Sequence, residues 1–344
     1  MFRPPEPPPM FQAHPFTANT AHTAQIDPQS SAQASGVRAE LHQLITLRAQ
    51  AQRLDLAPRG RVLATRSGGH LSRLRGRGME FDESRVYLPG DDPRNMDWRV
   101  TARAGTPHVK LFREERERPV WLLVDQGPSM RFGTRVAFKS VIAAQVAALL
   151  GWAAVDRGDR VGGLIFDESR QLERQPAARH AGLLPLLERL ATPLGATSVT
   201  DDRHRLATLA AQLATRVRPG SLIALISDFA AVTEADNAWL ARLAAGNEVL
   251  FIMVHDPLEA QAPALGRYPV LRDGRRGIWD LTTAEARSRY QAAFAQRLEH
   301  LERLARLHGA HWVRLTTADP VGPTLAQALG GRRARGALNA RSTR

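Results

Sequence analysis

The sequence predicts an α/β protein: a doubly wound, mostly parallel sheet preceded by a small irregular β-containing segment. Two observations carry this. Across residues 120–316 short apolar runs alternate with helical patterns, the mark of parallel strands joined by crossover helices. The first of those runs, VWLLVDQGPSM at 120–130, stops at Asp125, passes through Gln126, Gly127, Pro128 and Ser129, and gives way to a long apolar helical pattern at 136–155. A strand ending in an acid, a Gly/Pro/Ser loop and then a helix place side-chain oxygens at the carboxyl end of a sheet, where open α/β sheets bind ligands.

Taken in order, residues 1–36 are rich in Pro, Gln, Thr, Ser and Ala without apolar periodicity and read as a disordered arm. Residues 37–118 read as an amino-terminal unit. Its first part, 37–56, has Val37, Leu41, Leu44, Ile45, Leu47 and Leu54 near helical spacing, and Pro58-Arg59-Gly60 would stop that helix. Its second part is irregular and basic. Short strands are predicted at 79–81 and 86–88, a turn at Pro89-Gly90, and a helix start where Asp92 precedes Pro93, an N-cap followed by Pro at the first helical position. A short helix through Asp97, Trp98 and Arg103 follows. Asp91, Asp92 and Asp97 among arginines, beside one aromatic of buried type, read better as a salt-bridged turn than as a recognition surface.

Residues 119–330 form the main domain. Strands are predicted at 120–124, 161–166, 222–226, 249–254 and 312–315, with an antiparallel edge at 169–172. Helices are predicted at 136–156, 183–190, 206–217, 236–245, 283–308 and 321–329. Residues 268–271 and 277–279, separated by Asp273-Gly274, read as a hairpin. Residues 331–344 are an arginine-rich tail, predicted disordered.

Composition bounds the function. Hydrophobic residues make up 43% of the 344, enough for a core. Cysteine is absent, which removes disulfides and thiolate metal sites and fits a reducing compartment. The net charge is +13, and the balance stays basic without the five tail arginines Arg332, Arg333, Arg335, Arg341 and Arg344. A basic balance favours acidic partners, but Arg and Glu are interspersed, as at 113–118, so nucleic acid is not the expected partner. The first residues, MFRPPEPPPMF, lack the apolar core of a signal peptide, and the longest apolar run, 141–155, is short for a membrane span of roughly 20 residues. A cytoplasmic, soluble protein is expected.

Three loops leave strand ends carrying oxygen ligands: Asp125 and Ser129, then Thr197 with Ser198 and Thr200, then Ser227-Asp228. In a doubly wound sheet these loops converge, and an oxygen-only set suits Mg²⁺. His255-Asp256-Pro257 is too tight for a catalytic triad, and no G-x-S-x-G elbow accompanies it. Asp256 is expected to cap the turn after its strand. His204 and His308 fall in helix patterns without partner spacing.

The pattern resembles a von Willebrand factor A-like domain with a metal-ion-dependent adhesion site. More closely, the chain from about residue 60 to 329 resembles the DUF58 family. The residues that carry this are Tyr87-Leu88-Pro89-Gly90-Asp91-Asp92-Pro93, Asp97-Trp98, Thr101-Ala102-Arg103, Val124-Asp125 before Pro128-Ser129-Met130, Ile226-Ser227-Asp228-Phe229 and His255-Asp256-Pro257-Leu258-Glu259. The resemblance implies a non-enzymatic adaptor that accompanies a MoxR-type AAA+ ATPase in chaperone-like assembly of a protein client. Many members carry a transmembrane hairpin near the amino end, which is not expected here. The A-domain site reads Asp-x-Ser-x-Ser, then Thr, then Asp. Asp125, Ser129, Thr197 and Asp228 match it as Mg²⁺ ligands, while Gly127 replaces the middle serine and removes one hydroxyl.

Two rivals remain. A phosphatase of the haloacid dehalogenase type also begins with a strand ending in Asp, but needs a second acid two residues on, where Gly127 stands. A nucleic-acid module would use the tail and the basic segment 59–77, whose arginines lack interleaved aromatic residues. A P-loop and a dinucleotide fingerprint are absent from the sequence.

Overall fold

The computed structural model describes residues 36–56, 79–114, 117–192, 204–233, 236–272 and 275–330. The predicted arm at 1–36 lies, but for its last residue, outside the described residues; the basic segment 59–77 and the tail at 331–344 lie outside them entirely. The chain divides into two compact units, Met1–Val62 with Pro119–Arg344, and Leu63–Arg118. The predicted amino-terminal unit at 37–118 is therefore divided. Its helical part, α1 (Leu41–Thr46) and α2 (Arg48–Ala51), belongs with the sheet, because Leu44, Ala51, Leu54 and Leu56 are buried in the main core.

In the smaller unit β1 (Met79–Val86) pairs antiparallel with β2 (His108–Glu114), with a bulge between Phe81 and Glu83. The sequence predicted two short strands where β1 runs continuously, and missed β2. Between them lies α3 (Trp98–Ala104). The aspartates of the family signature are spent on local structure. Asp91 accepts from the Leu88 N–H (2.8 Å) and the Arg85 guanidinium (2.7 Å), which hold its carboxyl below the usual range. Asp92 accepts from the Arg94 N–H at 3.0 Å. Asp97 accepts from the Ser84 hydroxyl (2.7 Å) and from the Val100 N–H (3.2 Å), so it caps α3 rather than lying within it. Trp98 corrects the expectation of a buried aromatic: it is 69% exposed.

In the larger unit the strands are β3 (Pro119–Asp125), β4 (Arg160–Phe166), β5 (Gln171–Ala178), β6 (Leu222–Ser227), β7 (Glu248–His255) and β10 (His311–Thr316). They form one sheet in the order β10-β7-β6-β3-β4-β5, parallel except for the antiparallel edge β5. This is the predicted doubly wound, mostly parallel fold. The chain winds outward from β3 through β4 to β5, then returns to lay β6 on the other side of β3. The switch point between β3 and β6 is where such a sheet opens a crevice at its carboxyl edge.

Helices cover both faces, so the central strands read as continuous apolar runs. Val120, Leu122 and Val124 of β3 point to one core, together with α4 (Lys139–Asp156), α5 (His180–Ala191) and α10 (Val321–Gly330); α1 and α2 pack onto the same side. Trp121 and Leu123 point to the other, with α6 (Arg205–Ala214), α7 (Asn237–Ala244) and α9 (Ala284–Leu307). A single turn, α8 (Pro257–Ala260), and the hairpin β8 (Arg267–Arg272) with β9 (Arg275–Asp280) intervene before α9. Helix α4 is apolar on every side because it lies between the sheet and these outer helices. It is long and apolar enough to cross a membrane, yet 83% of that stretch is buried within the fold. The Trp152 indole N–H donates to the Leu44 carbonyl at 3.0 Å, tying α4 to α1. α4 begins three residues later than predicted. The Phe138 N–H donates to the Gly36 carbonyl and the Lys139 N–H to the Phe132 carbonyl, while Val136 is 65% exposed.

Candidate functional site

The rim at the switch point is built from four strand ends. Asp125 closes β3, Ser227 closes β6 with Asp228 after it, and His255 closes β7 with Asp256 after it; Thr317 follows β10. Asp125 Oδ1 accepts from the Gly127 N–H at 2.8 Å, and Oδ2 accepts from the Ser227 hydroxyl at 2.7 Å. Ser227 Oγ in turn accepts from the Phe229 N–H at 3.1 Å. Asp228 Oδ1 accepts from the Ala230 N–H at 3.0 Å. These bonds require a sharp turn after β6, and Phe229 takes a left-handed backbone conformation there, φ 51°. For a bulky residue this is strained. It persists because the ring is buried and stacks edge-on against Phe251, with centroids 4.9 Å apart.

The structure thus brings together two of the four predicted ligands, Asp125 and Asp228. Ser129 sits in the short turn Pro128–Met130 and is exposed. Thr197, with Ser198 and Thr200, lies outside the described residues.

Three charged residues at this rim, Lys139, Glu259 and Arg297, were not among the predicted site residues. Lys139 opens α4 inside what reads as an apolar helix, and its ammonium is 2.8 Å from Asp228 Oδ2 and 3.1 Å from Glu259 Oε1. Its side chain is 2% exposed. Glu259 meets a second cation, Arg297 of α9, at 3.7 Å. The signal that marks Lys139 in the sequence is its place: a lone cation in the first turn of an apolar helix opposes the helix dipole and needs a counter-charge.

These contacts set the charges. Burial pushes the Asp125 carboxyl up to about 6, the neighbouring Asp228 charge adds to this, and Ser227, Gly127 and Lys139 oppose it. Burial also pushes Asp228 upward, but Lys139, the Ala230 N–H and Arg297 together outweigh it, so Asp228 stays below the usual carboxylate range. Burial pushes Lys139 down and the two carboxylates more than offset that, so it remains an ammonium ion.

Next to this group Asp256 is fully buried, 0% exposed. It accepts from the Thr134 N–H (2.9 Å), the Thr134 hydroxyl (2.6 Å), the Leu258 N–H (2.9 Å) and the Thr317 hydroxyl. Glu259 completes a capping box by accepting from the Asp256 N–H at 2.8 Å. Asp256 does cap its turn, and it also pins the loop after β3 to the ends of β7 and β10. On the other flank Arg189 pairs with Asp167 at 2.6 Å and Arg131 pairs with Glu168.

The described donors do not fit Mg²⁺ well. Both oxygens of Asp125 are engaged, and Asp228 faces an ammonium rather than an opening. Gly127 offers no hydroxyl, and a Cβ there would come within 3.0 Å of Asp125 Oδ1. Among the described residues no group of three or more His, Asp or Glu side chains is arranged to hold a metal ion.

Residues 83–300 match the family described as "Protein of unknown function DUF58". The chain belongs to this family. Its curated relatives include Uncharacterized protein Rv1480 of Mycobacterium tuberculosis and Uncharacterized protein Mb1516 of Mycobacterium bovis. Each is 34% identical over 236 residues, covering 67% of this chain and 72% of the relative. Among solved structures this DUF58 chain is similar to BatB from Bacteroides thetaiotaomicron, at 17% identity and TM-score 0.36, covering 62% of this chain and 98% of that one. An aerotolerance-related membrane protein from Bacteroides fragilis gives 17% and 0.39, covering 62% and 97%. A von Willebrand factor type A protein from Catenulispora acidiphila gives 12% and 0.31, covering 64% and 44%. The DUF58 match spans most of the smaller unit's described residues and the rim through Arg297, so Asp125, Lys139, Asp228 and Glu259 all fall within it.

Proposed function

We propose that this DUF58 protein is a non-enzymatic adaptor for protein–protein interaction. It works in the cytoplasm with a MoxR-type AAA+ ATPase, in chaperone-like assembly or maturation of a client protein complex. The observation that supports an adaptor is the state of the rim. Asp125, Asp228, Asp256 and Glu259 are each held by bonds within the fold. A catalytic carboxylate has to come within hydrogen-bond distance of its substrate; these four spend oxygens on holding loops in place, which shapes a surface. The phosphatase reading is further weakened because Gly127 stands where the second acid is needed. The nucleic-acid reading relies on segments outside the described residues.

The test uses the purified full chain and a purified MoxR-type AAA+ ATPase. Calorimetry is expected to show a saturable complex, and ATP turnover by the ATPase is expected to change on adding the chain. Absence of a complex would remove the ATPase partnership. Turnover of a generic phosphate ester by the chain with Mg²⁺, lost in Asp125→Asn, would replace the adaptor with an enzyme.

A further inference from the structure

The cation at the centre of this rim is unusual for the chain that carries it. Lysine and arginine together number 47, and only two of them are lysines, Lys110 and Lys139. Arginine is the usual choice for a buried pair, because its planar fork matches a carboxylate in two places. An ammonium is instead a compact point charge with donors pointing in several directions, closer in shape to a bare ion. Lys139 uses it in that way. The nitrogen joins the loop after β6, through Asp228 at 2.8 Å, to the turn after β7, through Glu259 at 3.1 Å. Its remaining side faces the Phe132 ring, with the nitrogen 5.9 Å from the centroid.

The charges leave little room for anything more. Three carboxylates, Asp125, Asp228 and Glu259, face two cations, Lys139 and Arg297. A dication added to this group would have to displace an ammonium that already sits between the carboxylates on a side chain only 2% exposed. Lys139 also begins α4, where the helix dipole disfavours a positive charge, so its place is explained by the carboxylates it faces.

We propose that Lys139 is the resident cation of the rim: its ammonium occupies the place between Asp228 and Glu259 that a divalent ion would take, and the site is metal-independent. The buried carboxylates are neutralised from within the chain, and the loops after β3, β6 and β7 are clamped whether or not an ATPase is the partner. Removing the lysine side chain vacates an acidic pocket that suits a divalent ion.

The experiment titrates Mg²⁺ and Mn²⁺ calorimetrically into the full-length wild type, and follows thermal unfolding of wild type and Lys139→Ala in EDTA and in millimolar Mn²⁺. The wild type is expected to give no saturable heat and the same melting temperature in both conditions. Lys139→Ala is expected to melt lower in EDTA and to recover part of the loss with Mn²⁺. Saturable heat in the wild type that disappears in Asp228→Asn overturns the proposal. So does a folded Lys139→Ala protein that is indifferent to Mn²⁺. If Lys139→Ala does not fold, the wild-type titration alone decides, and complex formation with the ATPase is scored separately.

Discussion

Replacing Asp125 with Asn removes a charge that the fold tolerates only against resistance. Burial and then the Asp228 carboxylate raise the Asp125 carboxyl from 3.8 to about 6. A shift of roughly two pH units corresponds to ~3 kcal/mol at 1.36 kcal/mol per unit. The folded protein therefore binds more protons than the unfolded chain between about pH 4 and pH 6, and the stability this contributes, full below the unfolded value, is lost as pH rises through about 6. Asn cannot ionise, so it escapes that loss. It keeps a carbonyl for the Gly127 N–H, but its amide must donate to Ser227 Oγ, which leaves the serine hydroxyl to find a new acceptor at a cost of ~1 kcal/mol. On balance Asp125→Asn is expected to be more stable than wild type by ~2 kcal/mol at pH 7, and to lose that advantage by pH 4. Urea unfolding followed by tryptophan fluorescence at steps from pH 4 to pH 8, in EDTA, reads this directly, since Trp121 and Trp152 are buried in the two cores. A stability difference that stays constant across the window would refute the reasoning. A variant that is less stable at pH 7 than at pH 4, relative to wild type, would refute it as well.

Other substitutions probe the remaining parts of the rim and the sheet beneath it. Asp256→Ala strips the acceptor from four donors in a fully buried position and is expected to cost ~3–5 kcal/mol in denaturant unfolding at pH 7. Because the Asp256 carboxyl is held below its usual value by the threonine and backbone donors that outweigh burial, its contribution is present above about pH 4 and lost on acidification, so the penalty of Asp256→Ala should shrink at low pH. Gly127→Ser restores the missing hydroxyl at a tight approach, 3.0 Å from Asp125 Oδ1, and is expected to cost under ~1 kcal/mol while adding no Mg²⁺ heat in calorimetry; a heat signal would mean that the hydroxyl, not the ammonium, limits metal binding. Gly163→Ala puts a Cβ 2.4 Å from the Leu122 carbonyl oxygen on the neighbouring strand, and a loss of at least ~2 kcal/mol or of soluble protein is expected; wild-type stability would show that β3 and β4 can move apart.

The sheet was legible because its strands are buried on both faces. Continuous apolar runs such as LLV before Asp125 and LIALI before Ser227 leave few alternatives in a chain that alternates with helices. The turn signals worked for the same local reason: Asp256-Pro257 with Glu259 and Asp92-Pro93 specify caps whose donors lie within three residues. Strand β2 was missed because its short stretch looks like part of a basic loop, and it becomes a strand only by pairing with β1. Val136 was placed in a helix by its spacing, but the segment bends instead, with Thr134 donating to Asp256 on one side of it and Phe138 to the Gly36 carbonyl on the other.

The sequence by itself determined the order of strands and helices in the main domain, and that Asp125 ends one strand and Asp228 stands just after another, because apolar periodicity and local capping act over a few residues. Only the tertiary structure decided what those carboxylates face. Asp125 and Ser227 are 102 positions apart, and Lys139 and Asp228 are 89 apart. Which oxygen meets a hydroxyl and which meets an ammonium follows from the winding of the sheet around β3, and burial at that crossing turns ordinary charges into the dominant energies of the site.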